Sequence, residues 1–185
     1  MGGKERKTNK WKAALVVMAV LCVIGVFGII VNSIFQAKAL WWKGIDTGYL
    51  VKEVSAGLSS YKLENGWYPV NSGDKKEGAF VLYKYLSGDF DEDGAVDSET
   101  AGNKVYMEGL DWNTAKNDPL KRVRKIGGRF ALIDPYGDLI RYRCEPEEQE
   151  KRSTRNPTYD LWSLGGAESD ADTMSNCSWW LTNWD

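Results

Sequence analysis

The longest uninterrupted apolar run in the chain is Ala13 to Val31, nineteen residues with no charge, amide or proline. At about 1.5 Å per residue, a helix of that length rises about 28 Å, close to the ~30 Å hydrocarbon thickness of a bilayer. A secretory apolar region is shorter, about 7–15 residues, and ends in a small-residue cleavage site. No such site closes this run, because Val31 leads into Asn32-Ser33-Ile34. The run is read as a retained transmembrane helix; a cleaved signal segment and a buried core helix are the other readings. Beyond it, Ile34, Trp41, Ile45, Tyr49, Val54, Leu58 and Tyr61 recur at near-helical intervals, with Lys38, Lys43, Asp46, Lys52, Glu53 and Ser55 off that stripe. With no proline from Ala13 to Tyr68, a single helix of about fifty residues ending near Asn65-Gly66 is predicted. Gly44, Gly48 and Gly57 each weaken it by up to about 1 kcal/mol relative to alanine, so packing must offset them.

Asn65-Gly66-Trp67-Tyr68-Pro69 is a helix stop, glycine for a left-handed cap and proline beyond the end. Asn71 to Gly78 is polar and loop-like, and Ala79 to Leu86 is a short helix with Phe80, Tyr83 and Leu86 on its period. Val105 to Met107 is a short strand or a turn. Gly128–Leu132, Leu139–Cys144 and Tyr159–Leu164 alternate like strands, and Asp134-Pro135-Tyr136-Gly137-Asp138 is a turn between the first two. These strands are expected to form an antiparallel meander on the apolar stripe of the long helix, with Glu145 to Arg155 as an exposed loop. The predicted class is α+β with the helix first: a tail 1–12, a membrane helix 13–31, its amphipathic continuation 32–66 and an outer domain 67–185.

Charge sharpens the topology. Lys4, Arg6, Lys7, Lys10 and Lys12 against Glu5 give the first twelve residues +4, so the total of −2 leaves −6 on residues 32–185. A basic flank before an apolar span stays in the cytoplasm by the positive-inside bias. That orientation places the acidic C-terminal domain of a single-pass protein in the periplasm or outside the cell, and the former, with the inner membrane as the anchor's place, is what the resemblance described below implies. The acidic balance also argues against nucleic acid as a partner, since nucleic acid selects basic patches. Met1-Gly2 is not read as a myristoylation signal, because Arg6 stands where serine or threonine is needed.

The chain has no histidine, which excludes Ser-His-Asp triads and the commonest zinc sites and with them the commonest enzyme classes; that no enzyme activity is expected at all follows only from the resemblance given below. The sharpest metal-like pattern is Asp89-Phe90-Asp91-Glu92-Asp93-Gly94-Ala95-Val96-Asp97, with carboxylates at loop positions 1, 3, 5 and 9 and glycine at 6, as in an EF-hand loop. Position 12 is Thr100 and Glu99 falls one short, so a calcium site here would be weaker or closed differently. The other reading is a solvated acidic loop. Cys22 lies inside the anchor, whereas Cys144 and Cys177 both fall in the outer domain, where an oxidising compartment permits a disulfide. That bridge would add about 3 kcal/mol in the chain-entropy model; whether it forms is open. Trp11 suits an interfacial aromatic belt, and Trp41 and Trp42 serve the membrane and the helix. Trp179, Trp180 and Trp184 either pack over a small core or make a platform for glycan. Lys121, Arg122, Arg124 and Lys125 form a basic run, read as a solvated loop or as a docking surface for an acidic neighbour.

Four stretches together carry a family resemblance. Tyr61-Lys62-Leu63-Glu64-Asn65-Gly66-Trp67-Tyr68-Pro69, Asp134-Pro135-Tyr136-Gly137-Asp138-Leu139-Ile140-Arg141-Tyr142, Tyr159-Asp160-Leu161-Trp162-Ser163-Leu164-Gly165 and Leu181-Thr182-Asn183-Trp184 follow one another in order. The chain thereby resembles, over residues 13–185, the major pseudopilin (G-type subunit) of type II secretion, a type IV pilin-like family. The resemblance implies a long helix on a small three-stranded sheet, and a structural role in a filament for secretion across the outer membrane. The implied partners are copies of the chain, other pseudopilins and inner-membrane secretion proteins. Two places depart from the family pattern. The family's glycine and glutamate at the processing site are absent from Asn9-Lys10-Trp11-Lys12-Ala13-Ala14-Leu15. The family's C-terminal calcium loop reads Ser163-Leu164-Gly165-Gly166-Ala167-Glu168 here, leaving Asp170 and Asp172 as substitute ligands for a second calcium. The departures leave a non-polymerising, membrane-anchored periplasmic binding module, for glycan or protein, as the alternative.

Overall fold

The computed structural model describes residues 4–71, 74–94, 104–115, 121–145, 154–167, 169 and 178–184. Its contacts divide the chain into two compact units, residues 1–42 and 43–185, each treated by itself. The chain is α+β, with one long N-terminal helix and small antiparallel sheets.

Helix α1 runs Lys4–Asn65, 62 residues. Within the first unit its side chains from Trp11 to Trp42 are exposed apart from a half-buried Val31. This is the one helix among the described residues long and apolar enough to cross a membrane. In the second unit the same helix changes character. Thr47, Leu50, Val51, Val54, Leu58 and Tyr61 are buried, one helix face two positions wide at Leu50 and Val51 and otherwise stepping by three or four. The stripe expected from sequence is corrected here: Ile34, Trp41 and Tyr49 are exposed, and the five-residue step from Tyr49 to Val54 marks where that stripe left the helical period. Thr47 tolerates burial because its hydroxyl donates to the Lys43 carbonyl at 2.7 Å. Gly66, at φ 83°, ends the helix with its N–H on the Lys62 carbonyl at 2.8 Å.

Helix α2, Glu77–Ser87, brings Ala79, Leu82, Tyr83 and Leu86 into the core. Gly57 of α1 lets it come close, since a Cβ there would lie 3.3 Å from Leu86 Cδ2. The expected loss of helix propensity at Gly57 thus coincides with a tight helix contact. Tyr106 and Met107 belong to a bend rather than a strand, and both donate N–H groups to the Leu86 carbonyl. A one-turn helix, α3 (Trp112–Ala115), follows.

The strands β1 (Val123–Ile126) and β2 (Arg129–Leu132) form an antiparallel hairpin with Ile126 opposite Arg129. Gly127 and Gly128 make the turn at φ 59° and 92°, the positive values that a two-residue hairpin of matching twist requires. The basic run expected as a loop is therefore, from Val123 on, an edge strand: Val123 faces the core while Arg124 and Lys125 face out. Strands β3 (Arg141–Arg143), β4 (Asp160–Ser163) and β5 (Leu181–Thr182) form a separate antiparallel sheet in the order β3-β4-β5. The expected meander is thus split in two. One bridge, Ile133 to Leu139, spans the turn between β2 and β3, where the N–H groups of Tyr136 and Asp138 bond to the Asp134 side chain instead of to a ladder.

One core joins Leu50, Val54 and Leu58 of α1 with Leu82, Tyr83 and Leu86 of α2 and with Phe130, Leu132, Ile140, Tyr142 and Leu161. Fully burying side chains of this size contributes about 1.5–3 kcal/mol each. A smaller cluster of Trp162, Leu164 and Trp180, flanked by Ala167 and Trp184, is separate from it; Trp162 follows Leu161 on β4 and so points to the opposite face of the sheet.

Candidate functional site

The acidic loop begins where α2 ends. Gly88 takes a left-handed φ of 80°, and Asp89 follows as a buried aspartate, 1% exposed. Its Oδ2 accepts from the Tyr83 hydroxyl at 2.7 Å and the Gly94 N–H at 3.0 Å, and its Oδ1 accepts from the Asp93 N–H at 3.2 Å. Glu92 (φ 61°) and Gly94 (φ 92°) both adopt left-handed backbone, which turns the loop back over Asp89. At Gly94 this is possible only without a side chain, since a Cβ would lie 2.7 Å from Phe130 Cζ.

The result gathers carboxylate oxygens of Asp89, Asp91 and Asp93 within 4.8 Å of one another, with Asp91 and Asp93 exposed. Burial holds the Asp89 carboxyl above its ordinary range, and the neighbouring Asp91 pushes in the same direction, while the Tyr83 and Gly94 donors pull it down. Burial together with the Asp89 charge drives the Tyr83 phenol well above its usual value. An all-oxygen donor set that repels itself is the chemistry a hard cation relieves, and calcium takes six to eight such oxygens. Asp89, Asp91 and Asp93 are the residues present to hold one. Asp97 and Glu99, expected to complete the loop, and Asp170 and Asp172, expected in a second site, lie outside the described residues.

The resemblance motifs assemble elsewhere, on the β3-β4-β5 sheet. Asp134 is 1% exposed. Its Oδ1 accepts the N–H groups of Tyr136 and Asp138, both at 2.9 Å, and its Oδ2 accepts from the Ser163 hydroxyl. Ser163 Oγ in turn accepts the Gly165 N–H at 3.0 Å. Pro135 and Gly137 (φ 93°) complete the turn, with the Gly137 N–H on the Asp134 carbonyl at 2.9 Å. Leu164 is buried beside Trp162 and Trp180. Gly165 leaves no room for a Cβ, which would lie 1.9 Å from the Trp179 carbonyl. Asn183 Oδ1 accepts the Leu161 N–H at 2.8 Å, and Trp184 meets Trp162 edge to face at 5.6 Å. The Tyr142 hydroxyl donates to the Pro69 carbonyl at 2.8 Å, and Tyr68 packs on Tyr159 at 4.8 Å. Trp180 and Trp184 are thus core-closing aromatics, while Trp179 is exposed.

No disulfide is formed among the described residues. The Cys144 sulfur is buried, 3.7 Å from the Thr158 carbonyl, and Cys177 lies outside the described residues. Sequence reasoning missed Tyr83 as a partner of Asp89, although both stand in one helix-to-loop junction six residues apart. It also missed Arg129, which pairs with Glu77 at 2.7 Å and Glu92 at 3.8 Å and so ties the acidic loop to β2 and α2. Comparison with family models, with curated proteins and with solved structures found no match for this chain.

Proposed function

We propose that the protein is a membrane-anchored structural subunit of pilin-like type, serving a type II secretion pseudopilus or a related filament rather than catalysing a reaction. The N-terminal helix crosses the inner membrane once, the basic tail stays in the cytoplasm, and the outer domain stands in the periplasm. Copies of the chain, related subunits and inner-membrane secretion proteins are its partners, and the acidic loop holds calcium that stiffens the domain.

The observation that carries this reading is the convergence of the four sequence motifs on one sheet. Residues far apart in the chain, Pro69 with Tyr142, Asp134 with Ser163, and Leu161 with Asn183, bond to one another. The test is a filament assay on the full-length chain in a secreting host, with cross-linking in intact membranes and mass measurement of the mature N-terminus. The expected result is a ladder of cross-linked copies and sheared fibres that contain the chain. A solely monomeric species with an intact, unmethylated N-terminus would overturn the filament and leave the anchored binding module, which the exposed Trp179 and the missing processing residues favour.

A further inference from the structure

The apolar run and the tryptophans disagree about where a bilayer would sit on α1. The run Ala13–Val31 is centred on Cys22, whereas Trp11 and Trp41, thirty residues apart, are centred on Val26. Thirty residues of α-helix rise about 45 Å, the thickness of a bilayer with its headgroups, about 40–45 Å. We propose that the membrane boundary on the domain side lies at the Trp41–Trp42 pair, so that the span is offset outward by about one turn from the apolar run. The occupant of the exposed face from Ile34 to Trp42 is then lipid at the outer interface. The inference rests on the membrane span of the preceding reading.

Three observations support the offset. Ile34, Phe35, Leu40, Trp41 and Trp42 are all exposed. Centred on Cys22, Ile34 and Phe35 would lie about 18 and 20 Å from the midplane, among the headgroups; the offset moves them to about 12 and 14 Å, inside the hydrocarbon. Of the polar groups the offset draws inward, the Ser33 hydroxyl already donates to the Ile29 carbonyl at 2.9 Å, which removes much of its desolvation cost. Asn32 then lies about 9 Å from the midplane, inside the hydrocarbon, and its amide is the main polar cost of the offset. The Trp41 and Trp42 rings stand together edge to face at 5.0 Å, and Lys38 is exposed one turn before them, the composition favoured at an aromatic belt.

The two registers differ measurably. With the bilayer centred on Val26, Trp11 and Trp41 both lie about 22 Å from the midplane; centred on Cys22, Trp41 lies about 28 Å out, in water, and Trp11 about 17 Å. The experiment is tryptophan fluorescence of the full-length chain in phosphatidylcholine vesicles carrying bromine near the headgroups or near the midplane. Difference emission against Trp41→Phe/Trp42→Phe isolates the outer pair, and against Trp11→Phe the inner residue. All three sites are exposed, so the changes disturb no core. The expected result is comparable quenching of both components by headgroup-proximal bromine, at least twice that by midplane bromine. Quenching of Trp11 alone would overturn the offset and leave the anchor standing. Quenching of neither would overturn the membrane span itself. An outer pair that escapes lipid quenching and changes emission on dilution in lipid would overturn the proposal in favour of a second copy covering that face.

Discussion

Asp89 and Asp134 are alike in burial and unlike in company. Each is 1% exposed, each sits in a tight turn and accepts two backbone N–H groups and one hydroxyl. Burial is the leading cause that raises the carboxyl of both. The difference is what stands beside them. Asp134 is tied across the fold to Ser163 of β4, with the charge of Asp138 in its own turn as a lesser influence. Asp89 opens onto Asp91 and Asp93. The same local device therefore serves as a fastener in one place and as the buried end of a cluster of like charges in the other. A buried aspartate is informative only together with the charges around it.

The largest expected effect breaks the fastener. Asp134→Ala leaves the Tyr136 and Asp138 N–H groups and the Ser163 hydroxyl without their acceptor. Several lost buried bonds predict a destabilisation of about 3–5 kcal/mol, the same with calcium or with chelator, read by urea unfolding of the full chain in detergent. A loss below about 1 kcal/mol would mean that water replaces the carboxylate and that Asp134 is no fastener.

The acidic loop should respond the opposite way. A ligand at a hundred times its dissociation constant stabilises by about 2.7 kcal/mol, roughly 5–10 °C in melting temperature for a chain of this size. Saturating calcium is expected to raise the melting temperature of the parent by that order and to leave Asp91→Asn/Asp93→Asn unmoved. In chelator, the double variant should be slightly more stable than the parent, because two repelling charges are gone. No calcium-dependent shift in the parent would reduce the loop to a solvated acidic turn.

How far these two sites were legible in sequence follows from how local their signals are. The Asp89–Gly94 loop is a spacing pattern within six residues, so its convergence was readable; its anchor, Tyr83, was not, because a tyrosine on a helix period reads first as core. The Asp134 turn was readable as a turn, while its bond to Ser163 depends on the pairing of distant strands. The long helix and its stop at Gly66 came through, since no proline or polar cluster interrupts them. Of the buried face, Val54, Leu58 and Tyr61 were legible, while Tyr49 displaced Thr47 because a tyrosine looks apolar and a threonine does not; the hydroxyl bond to Lys43 is what lets Thr47 be buried. Strand β1 was hidden by its charges. An edge strand with one inward residue, Val123, leaves most of its sequence polar, and the Gly127-Gly128 turn was the overlooked hairpin signal.

Ser163→Ala sharpens the comparison at smaller scale. It removes the hydroxyl donor from Asp134 Oδ2 and the acceptor of the Gly165 N–H, with an expected loss of about 1–2 kcal/mol. Because that donor pulls the Asp134 carboxyl down against the effect of burial, its removal should raise the carboxyl further. A carbon-13 titration of the Asp134 carboxyl reads this directly, and an unchanged midpoint would show that the bond does not reach the charge.

The smallest effect is a slope with pH, and its sign separates the two aspartates. A carboxyl whose folded value is raised binds its proton more tightly in the folded chain, so stability falls as pH rises from the ordinary carboxylate range through the raised value, and is level above it. In chelator, both Asp89 and Asp134 contribute in this direction, and the melting temperature should climb as pH is lowered across that window. Asp134→Asn removes its share of the slope, and Asp89→Asn removes the other. With calcium present, the Asp134 share stays, while the Asp89 share reverses, because protons then compete with the cation for the same oxygens. The increment due to calcium should therefore shrink on acidification in the parent and in Asp134→Asn alike. A calcium increment that is flat with pH, or that survives in Asp89→Asn, would place the cation away from the buried carboxylate.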